Sequence, residues 1–181
     1  SLHDALPIYA LGNLRKLLQK PFLDYPYLNE VLSKLTTMSQ FNEIAEDKRL
    51  EVQIFSFAYK KGIPVDKSGN GGGYVFDCRA INNPGKYEHY RQFTGLDQEV
   101  IKFLEDDGGI TKFLDNAYGM VDNHVKVFIE RKFTLLQICF GCTGGQHRSV
   151  YCAEHLAQHL ADRFDIKITV CHRELDIEKI L

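Results

Sequence analysis

The sequence predicts an α/β domain: a small, mostly parallel sheet flanked by helices and preceded by a short helical segment. Three observations predict it. Short runs rich in β-branched and aromatic residues alternate with segments of helical period, the order expected of a sheet layered with helices. The 181 residues suffice for one ordinary domain plus a small appendage, and their hydrophobic and charged fractions, 44% and 25%, are those of a water-soluble protein. No apolar run approaches the ~18 residues that a membrane span needs, and the first residues lack the basic and apolar order of a secretory signal, so a cytoplasmic protein without membrane contact is expected.

The elements follow in order. Residues 1–8 are similar to a translated sequencing adapter and are set aside, so the natural chain is expected to begin upstream. Within 9–37, Leu11, Leu14, Leu17 and Leu18, then Leu28, Val31, Leu32 and Leu35, have helical spacing, with a break between Pro21 and Pro26. Two short amphipathic helices are predicted there. Residues 38–50 are polar, carry no period and read as a linker to a domain at 51–181. In that domain 52–57 and 74–79 read as strands, separated by a glycine-rich loop, and Asn82, Asn83, Pro84 and Gly85 make a turn. Asp97 starts a helix through Val100, Ile101 and Leu104, which Gly108 and Gly109 end; a longer helix occupies about 110–130. A strand at 134–140 leads into a helix after Arg148, whose stripe is Val150, Ala153, Ala157, Leu160 and Phe164. Residues 166–170 form the last predicted strand.

Between the strand at 134–140 and the helix after Arg148 lies Gly-Cys-Thr-Gly-Gly-Gln-His-Arg-Ser, residues 141–149. A strand, a glycine turn and a helix start build an anion site, because the first helical N–H groups have no intrahelical partner and the macrodipole adds positive potential there. Arg148 can grip two phosphate oxygens. Cys142 and Arg148, with five residues between them and Ser149 following, also resemble the phosphate loop of cysteine-dependent phosphatases. That chemistry needs a low-pKa thiolate at Cys142 and a carboxylic acid, which Asp77 or Asp97 would supply. Gly141 stands where those enzymes usually carry His.

From Phe55 to Leu175 the chain resembles the C-terminal domain of the RapZ family of bacterial RNase adaptor proteins. The resemblance is carried by Ser56-Phe57, Gly62-Ile63-Pro64 after Lys60 and Lys61, Val75-Phe76-Asp77-Cys78-Arg79, Asn83-Pro84, Arg91, Thr94-Gly95-Leu96-Asp97, residues 141–151 and His172-Arg173-Glu174-Leu175. It implies a domain shaped like phosphofructokinase lobes that binds an aminosugar phosphate and a small RNA and forms a homo-oligomer. On that pattern Cys142, Thr143, Gly144, Gly145, His147 and Arg148 form the metabolite pocket, with Gln146 and Ser149 in the same loop. Asp77 and Arg79 either face the same crevice or pair with each other. Capping alone explains Thr94 or Asp97.

A formal net charge of −2 supplies no global basic field, so RNA would need a local patch. Lys60, Lys61, His172 and Arg173 are the candidates, with Tyr87, His89 and Tyr90 as stacking surfaces. His155 and His159 are spaced for a shared metal, but the sequence offers no third ligand, so a surface pair is expected. Five cysteines without paired CxxC spacing predict buried thiols rather than a disulfide framework or zinc site. No cofactor is expected.

RapZ proteins carry a nucleotide-binding domain with a Walker A loop, and this sequence has no GxxxxGK[ST], so nucleotide hydrolysis does not carry over. Residues 9–37 look instead like the helical tail of aminoglycoside-type sugar phosphotransferases. The expected function is a regulatory domain binding a phosphorylated sugar and RNA. The alternatives are a phosphomonoesterase built on Cys142, and a regulatory appendage of a sugar phosphotransferase.

Overall fold

The computed structural model describes residues 49–69 and 72–181. The helical segment expected at 9–37 and nearly all of the linker lie outside them. Strand β1 (Glu51–Ala58) is followed by a 3-10 turn and a long connection to β2 (Gly73–Asp77). Three more short 3-10 turns lead to helices α1 (Gln98–Asp107) and α2 (Gly109–Glu130), then β3 (Leu135–Cys142), α3 (Arg148–Ala161), β4 (Lys167–His172) and β5 (Ile177–Ile180). The sheet order is β2-β3-β1-β4-β5, parallel except for the β4–β5 pair. The predicted α/β class is the observed one.

This order fixes where each connection runs. The steps from β2 to β3 and from β3 to β4 move across the sheet in one direction, while the step from β1 to β2 moves in the other. Parallel crossovers are right-handed, so α1, α2 and α3 lie on one face and residues 59–69 lie on the opposite one. Contacts agree: α3 packs on β1, β3 and β4, and Phe113 of α2 meets Phe76 and Phe140. On the other face Gln137 donates to the Pro64 carbonyl at 3.3 Å, and Val75 stays exposed.

The helix face holds the core, with Val52, Ile54, Ile138, Phe140, Ile168 and Val170 against Leu104, Ile110, Val121, Leu156 and Leu160. Each such side chain contributes about 1.5–3 kcal/mol by leaving water. The predicted stripe of α3 is buried, with Leu156 added and Phe164 packed at its edge. Helix α1 stops because Gly108 takes the left-handed conformation, φ 70°, and its N–H returns to the Glu105 carbonyl.

The strands predicted at 52–57, 134–140 and 166–170 run over Glu51–Ala58, Leu135–Cys142 and Lys167–His172, and three further differences have a physical reason. The strand predicted at 74–79 ends at Asp77, whose carboxylate accepts the Arg79 N–H at 2.9 Å and bends the chain into a 3-10 turn, Cys78–Ala80. β5 is unpredicted, being four residues long with an exposed or half-exposed pattern that shows no period. Leu50, assigned to the linker, is 3% exposed and its carbonyl accepts the Lys167 N–H, so it belongs to the core.

Candidate functional site

β1 and β3 are neighbours whose following connections leave toward opposite faces, which opens a crevice at their carboxyl ends. Ala58 and Cys142, the last residues of the two strands, pair in register there. Residues 143–147 therefore arch over the topological switch point, with α3 starting directly behind. Three turns wall the crevice: Tyr59–Lys61 after β1, Cys78–Ala80 after β2, and the turn at 173–176 after β4.

Donors converge on one atom in this loop. The Cys142 sulfur is within reach of the Gly145 N–H at 3.2 Å and the Ser149 hydroxyl at 3.1 Å. Burial pushes this thiol up, but hydrogen bonds from the Ser149 hydroxyl, the Ser149 and Gly145 N–H groups and the nearby Arg148 charge outweigh it, and the net direction is down. The folded thiol ionises more readily than the unfolded one. It therefore contributes stability that is present above the free-thiol value of ~8.5 and fades as pH falls through the lowered folded value. Between those two values the parent should gain stability over Cys142→Ser as pH rises, measured by urea denaturation at several pH values. A difference independent of pH would rule out the thiolate.

Arg148 departs from its expected role. The residue is 3% exposed, and its Nη1 donates to the carbonyls of Ile81 at 2.8 Å, Arg79 at 3.1 Å and Cys78 at 3.4 Å. Nη2 reaches Thr143 Oγ1 at 3.4 Å, and Nε has no partner. A free two-pronged grip on phosphate is thus corrected to a clamp on the turn after β2, because three carbonyls already take that end of the fork. Nη2, weakly engaged, is the donor nearest the exposed Thr143, while Nε is unpartnered and buried.

Gln146 and His147 also face protein. Gln146 Nε2 donates to the carbonyls of Phe93 and Arg91, and His147 Nε2 lies 3.0 Å from the Tyr90 carbonyl, so that nitrogen carries the proton. Burial holds the His147 pKa below its usual value. Both side chains fasten the 84–95 segment to the loop. Thr143 and Gly144 are the exposed residues of the arch. Gly145, at φ 68°, has no room for a Cβ, which would lie 2.3 Å from Glu174 Cγ and 2.8 Å from the Ala58 nitrogen. Gly141 replaces the phosphatase His for a similar reason: a Cβ would lie 2.5 Å from the rings of Phe57 and Tyr59.

Neither acid candidate is poised for general-acid work. Asp77 pairs with Arg79 through both oxygens, 2.7 to 3.0 Å, and those hydrogen bonds hold its carboxyl below the usual range, whereas an acid catalyst needs the opposite shift. The Asp97 carboxylate accepts the Thr94 N–H and hydroxyl at 2.7 and 2.8 Å. Asp97 stands at the N-cap position of α1 without capping it through its side chain. Arg79 in turn lies 4.2 Å over the Tyr59 ring at the mouth of the crevice.

The patch offered for RNA is not a patch of four. His172 is fully buried, its ring bridging Ser56 Oγ at 2.9 Å and Glu154 Oε1 at 2.6 Å, because β4 points it at the helix face. Lys61 and Arg173 share Glu174, at 2.5 and 2.8 Å, while Lys60 is exposed. Of the stacking candidates, Tyr87 and His89 are exposed, whereas Tyr90 packs on Phe103. His155 and His159 are corrected from a surface pair to helix packing: His155 stacks on Tyr151, and His159 stacks on Tyr118 and bonds Asp122. Among the described residues no group of three possible ligands could hold a metal. All five cysteines are free thiols, four of them buried.

Sequence reasoning missed Glu174, Tyr59 and Gly95. Glu174 is the carboxylate against which the arch closes, accepting the Ala58 N–H, Lys61 and Arg173. Burial raises its pKa, but those hydrogen bonds outweigh it and lower the net value. Its position directly after Arg173 in a matching block was the available signal.

The RapZ C-terminal domain profile matches residues 50–176. The nucleotide-binding protein of Fervidobacterium nodosum is 34% identical over 157 residues, 86% of this chain and 52% of that protein. That match is longer than the stretch from residue 50 to the end, so it takes in residues ahead of the domain. The nucleotide-binding proteins of Nitrosomonas eutropha and Geobacillus kaustophilus are each 38% identical, over 72% and 71% of this chain and 43% and 41% of their own lengths. The chain spans about half the length of the curated relatives it matches. No described helix is long and apolar enough to cross a membrane. The matches cover the strands, turns and arch that form the crevice, and the chain belongs to the RapZ C-terminal domain family.

Proposed function

We propose that this domain is a regulatory module that recognises a phosphorylated sugar at the mouth of the 142–148 arch. One observation carries the reading: a glycine arch and the start of a 14-residue helix sit at the switch point of a parallel sheet, where backbone donors converge. A phosphate would meet the exposed backbone of Thr143 and Gly144 and the Thr143 hydroxyl, with the buried Arg148 charge behind them. Asp77, Arg79 and Tyr59 line the wall on which the sugar would rest, and a carboxylate there suits an ammonium or hydroxyl group. RNA as a second ligand is supported by the family likeness; its contacts would fall to Lys60 and the exposed edge of Lys61 and Arg173. Assembly as a homo-oligomer, and a phosphotransferase-like origin for residues 9–37, belong to the same proposal.

A phosphomonoesterase reading has one supporting observation, the donors aimed at the Cys142 sulfur, and lacks a poised acid. Thermal shift separates the two. An aminosugar phosphate at a hundredfold excess over its dissociation constant should stabilise the fold by about 2.7 kcal/mol and raise the melting temperature by about 10 °C. Thr143→Val should shrink that shift and change the unliganded melting temperature little, since Thr143 is exposed and gives up only the 3.4 Å contact to Arg148 Nη2. No shift with any phosphorylated sugar would overturn the sensor reading, and steady release of phosphate from an aryl phosphate would establish the esterase.

A further inference from the structure

A cavity opens behind the segment that the arch fastens. It measures about 430 Å³, a size suited to a small molecule, and lies between residues 82–90 and one face of α1. One wall is aromatic: the Tyr90 and Phe103 ring centroids are 5.0 Å apart, and the exposed His89 ring stands 4.9 Å from Tyr90. The facing rim is anionic. Glu99 lies one turn before Phe103 on α1, and Asp106 and Asp107 lie one turn after it, so carboxylates flank the ring on both sides. Bonds from the arch hold the aromatic wall still, since Arg148 takes the carbonyl of Ile81, next to Asn82, and His147 takes that of Tyr90.

The charges of this rim run against the helix that carries them. Asp106 and Asp107 occupy the last turn of α1, where the macrodipole is negative and favours a basic residue, and that turn has none. Lys102 reaches Asp106 at 3.3 Å, and Asn82 donates to Asp107 at 3.2 Å. Glu99 has no hydrogen bond or ion pair among the described residues. Three carboxylates against one ammonium leave two negative charges beside uncovered ring faces. A placement that weakens the helix and gains nothing in the fold points to a ligand.

We propose that this cavity binds a free aliphatic polyamine, with one ammonium at Glu99, a second at Asp106 and Asp107, and the alkyl chain across Tyr90 and Phe103. Rings attract ammonium groups through their negative faces and take alkyl chains by apolar contact. From Glu99 to Asp107 the helix rises about 12 Å, a span that a chain of spermidine length covers and a monoamine does not. The site is independent of phosphosugar recognition at the arch, and either can fail without the other.

Calorimetric titration of the full chain at physiological ionic strength should show spermidine binding one-to-one, and butylamine binding about tenfold more weakly. Amide shifts in an NMR titration with spermidine should fall on 87–90 and 99–107. Glu99→Gln, an exposed change that breaks no contact, should weaken spermidine about threefold. Glu130→Gln, an exposed carboxylate at the end of α2, should leave it unchanged. Equal losses from the two substitutions would reduce the effect to bulk charge and overturn the site. No saturation at millimolar spermidine, or shifts spread over acidic residues elsewhere, would do the same. A trilysine peptide that binds at 87–107 where spermidine does not would overturn the free amine as the ligand.

Discussion

Replacing Arg148 by Ala should cost about 3 kcal/mol of stability, and the melting temperature should fall by about 10 °C. Three carbonyls, those of Cys78, Arg79 and Ile81, take their hydrogen bonds from one buried nitrogen of this side chain. Hydrogen bonds to a charged group contribute about 1.5–3 kcal/mol each, and carbonyls left buried and unpaired cost about as much as the bonds were worth. The total stays below the sum because water can enter the vacated space and because the three bonds share two protons. Loss of the clamp should also release the turn after β2, so amide exchange at Cys78, Arg79 and Ile81 should rise more than at Ile54 or Ile138 in the sheet. Urea denaturation with hydrogen exchange measures both. A variant as stable as the parent would show that the clamp is dispensable and that Arg148 is held for a ligand alone. Arg148→Lys should recover little, since an ammonium cannot reach three carbonyls in the plane of a fork.

The fold class was legible because it depends on period. Strands of alternating residues and helices with an apolar stripe declare themselves wherever one face meets a core, as with Val150, Ala153, Ala157 and Leu160. β5 was not legible, since Ile177–Ile180 buries little and its pairing with β4 is dictated by a neighbour distant in kind rather than by its own pattern. The arch was legible as a strand, turn and helix start. The duties of its side chains were not. Arg148, Gln146 and His147 are the residue types that read phosphates, yet each is largely engaged with a carbonyl of the 78–93 stretch. Which acceptor a donor finds is a long-range fact, and no local spacing encodes it. His172 errs in the same way: beside Arg173 it read as surface charge, while strand alternation turned it into the core, where Ser56 and Glu154 satisfy both ring nitrogens.

Gly95→Ala should be at least as damaging, and it tests whether the 84–95 segment is what holds the arch in place. The Gly95 N–H donates to the Gln146 carbonyl at 2.9 Å, and a Cβ at this position would lie 2.3 Å from the His147 carbonyl oxygen and 2.6 Å from the Tyr151 nitrogen. Both obstacles are backbone atoms in the first turn of α3, so no rotamer change relieves the contact. Either the segment lifts away, losing the Gln146 and His147 bonds to Arg91, Phe93 and Tyr90, or the start of α3 shifts. A loss of about 3 kcal/mol follows from overpacking plus those bonds. Gly144→Ala is the matching control, because nothing lies within 4 Å of the added carbon and it should change stability by less than about 0.5 kcal/mol. The pair separates two demands that the repeated glycines of this region make look alike. If Gly95→Ala folds with parental stability, the packing of the segment against α3 is not what fixes the arch. If Gly144→Ala alone abolishes the thermal shift with a phosphorylated sugar at parental stability, the open side of the arch is where the ligand sits.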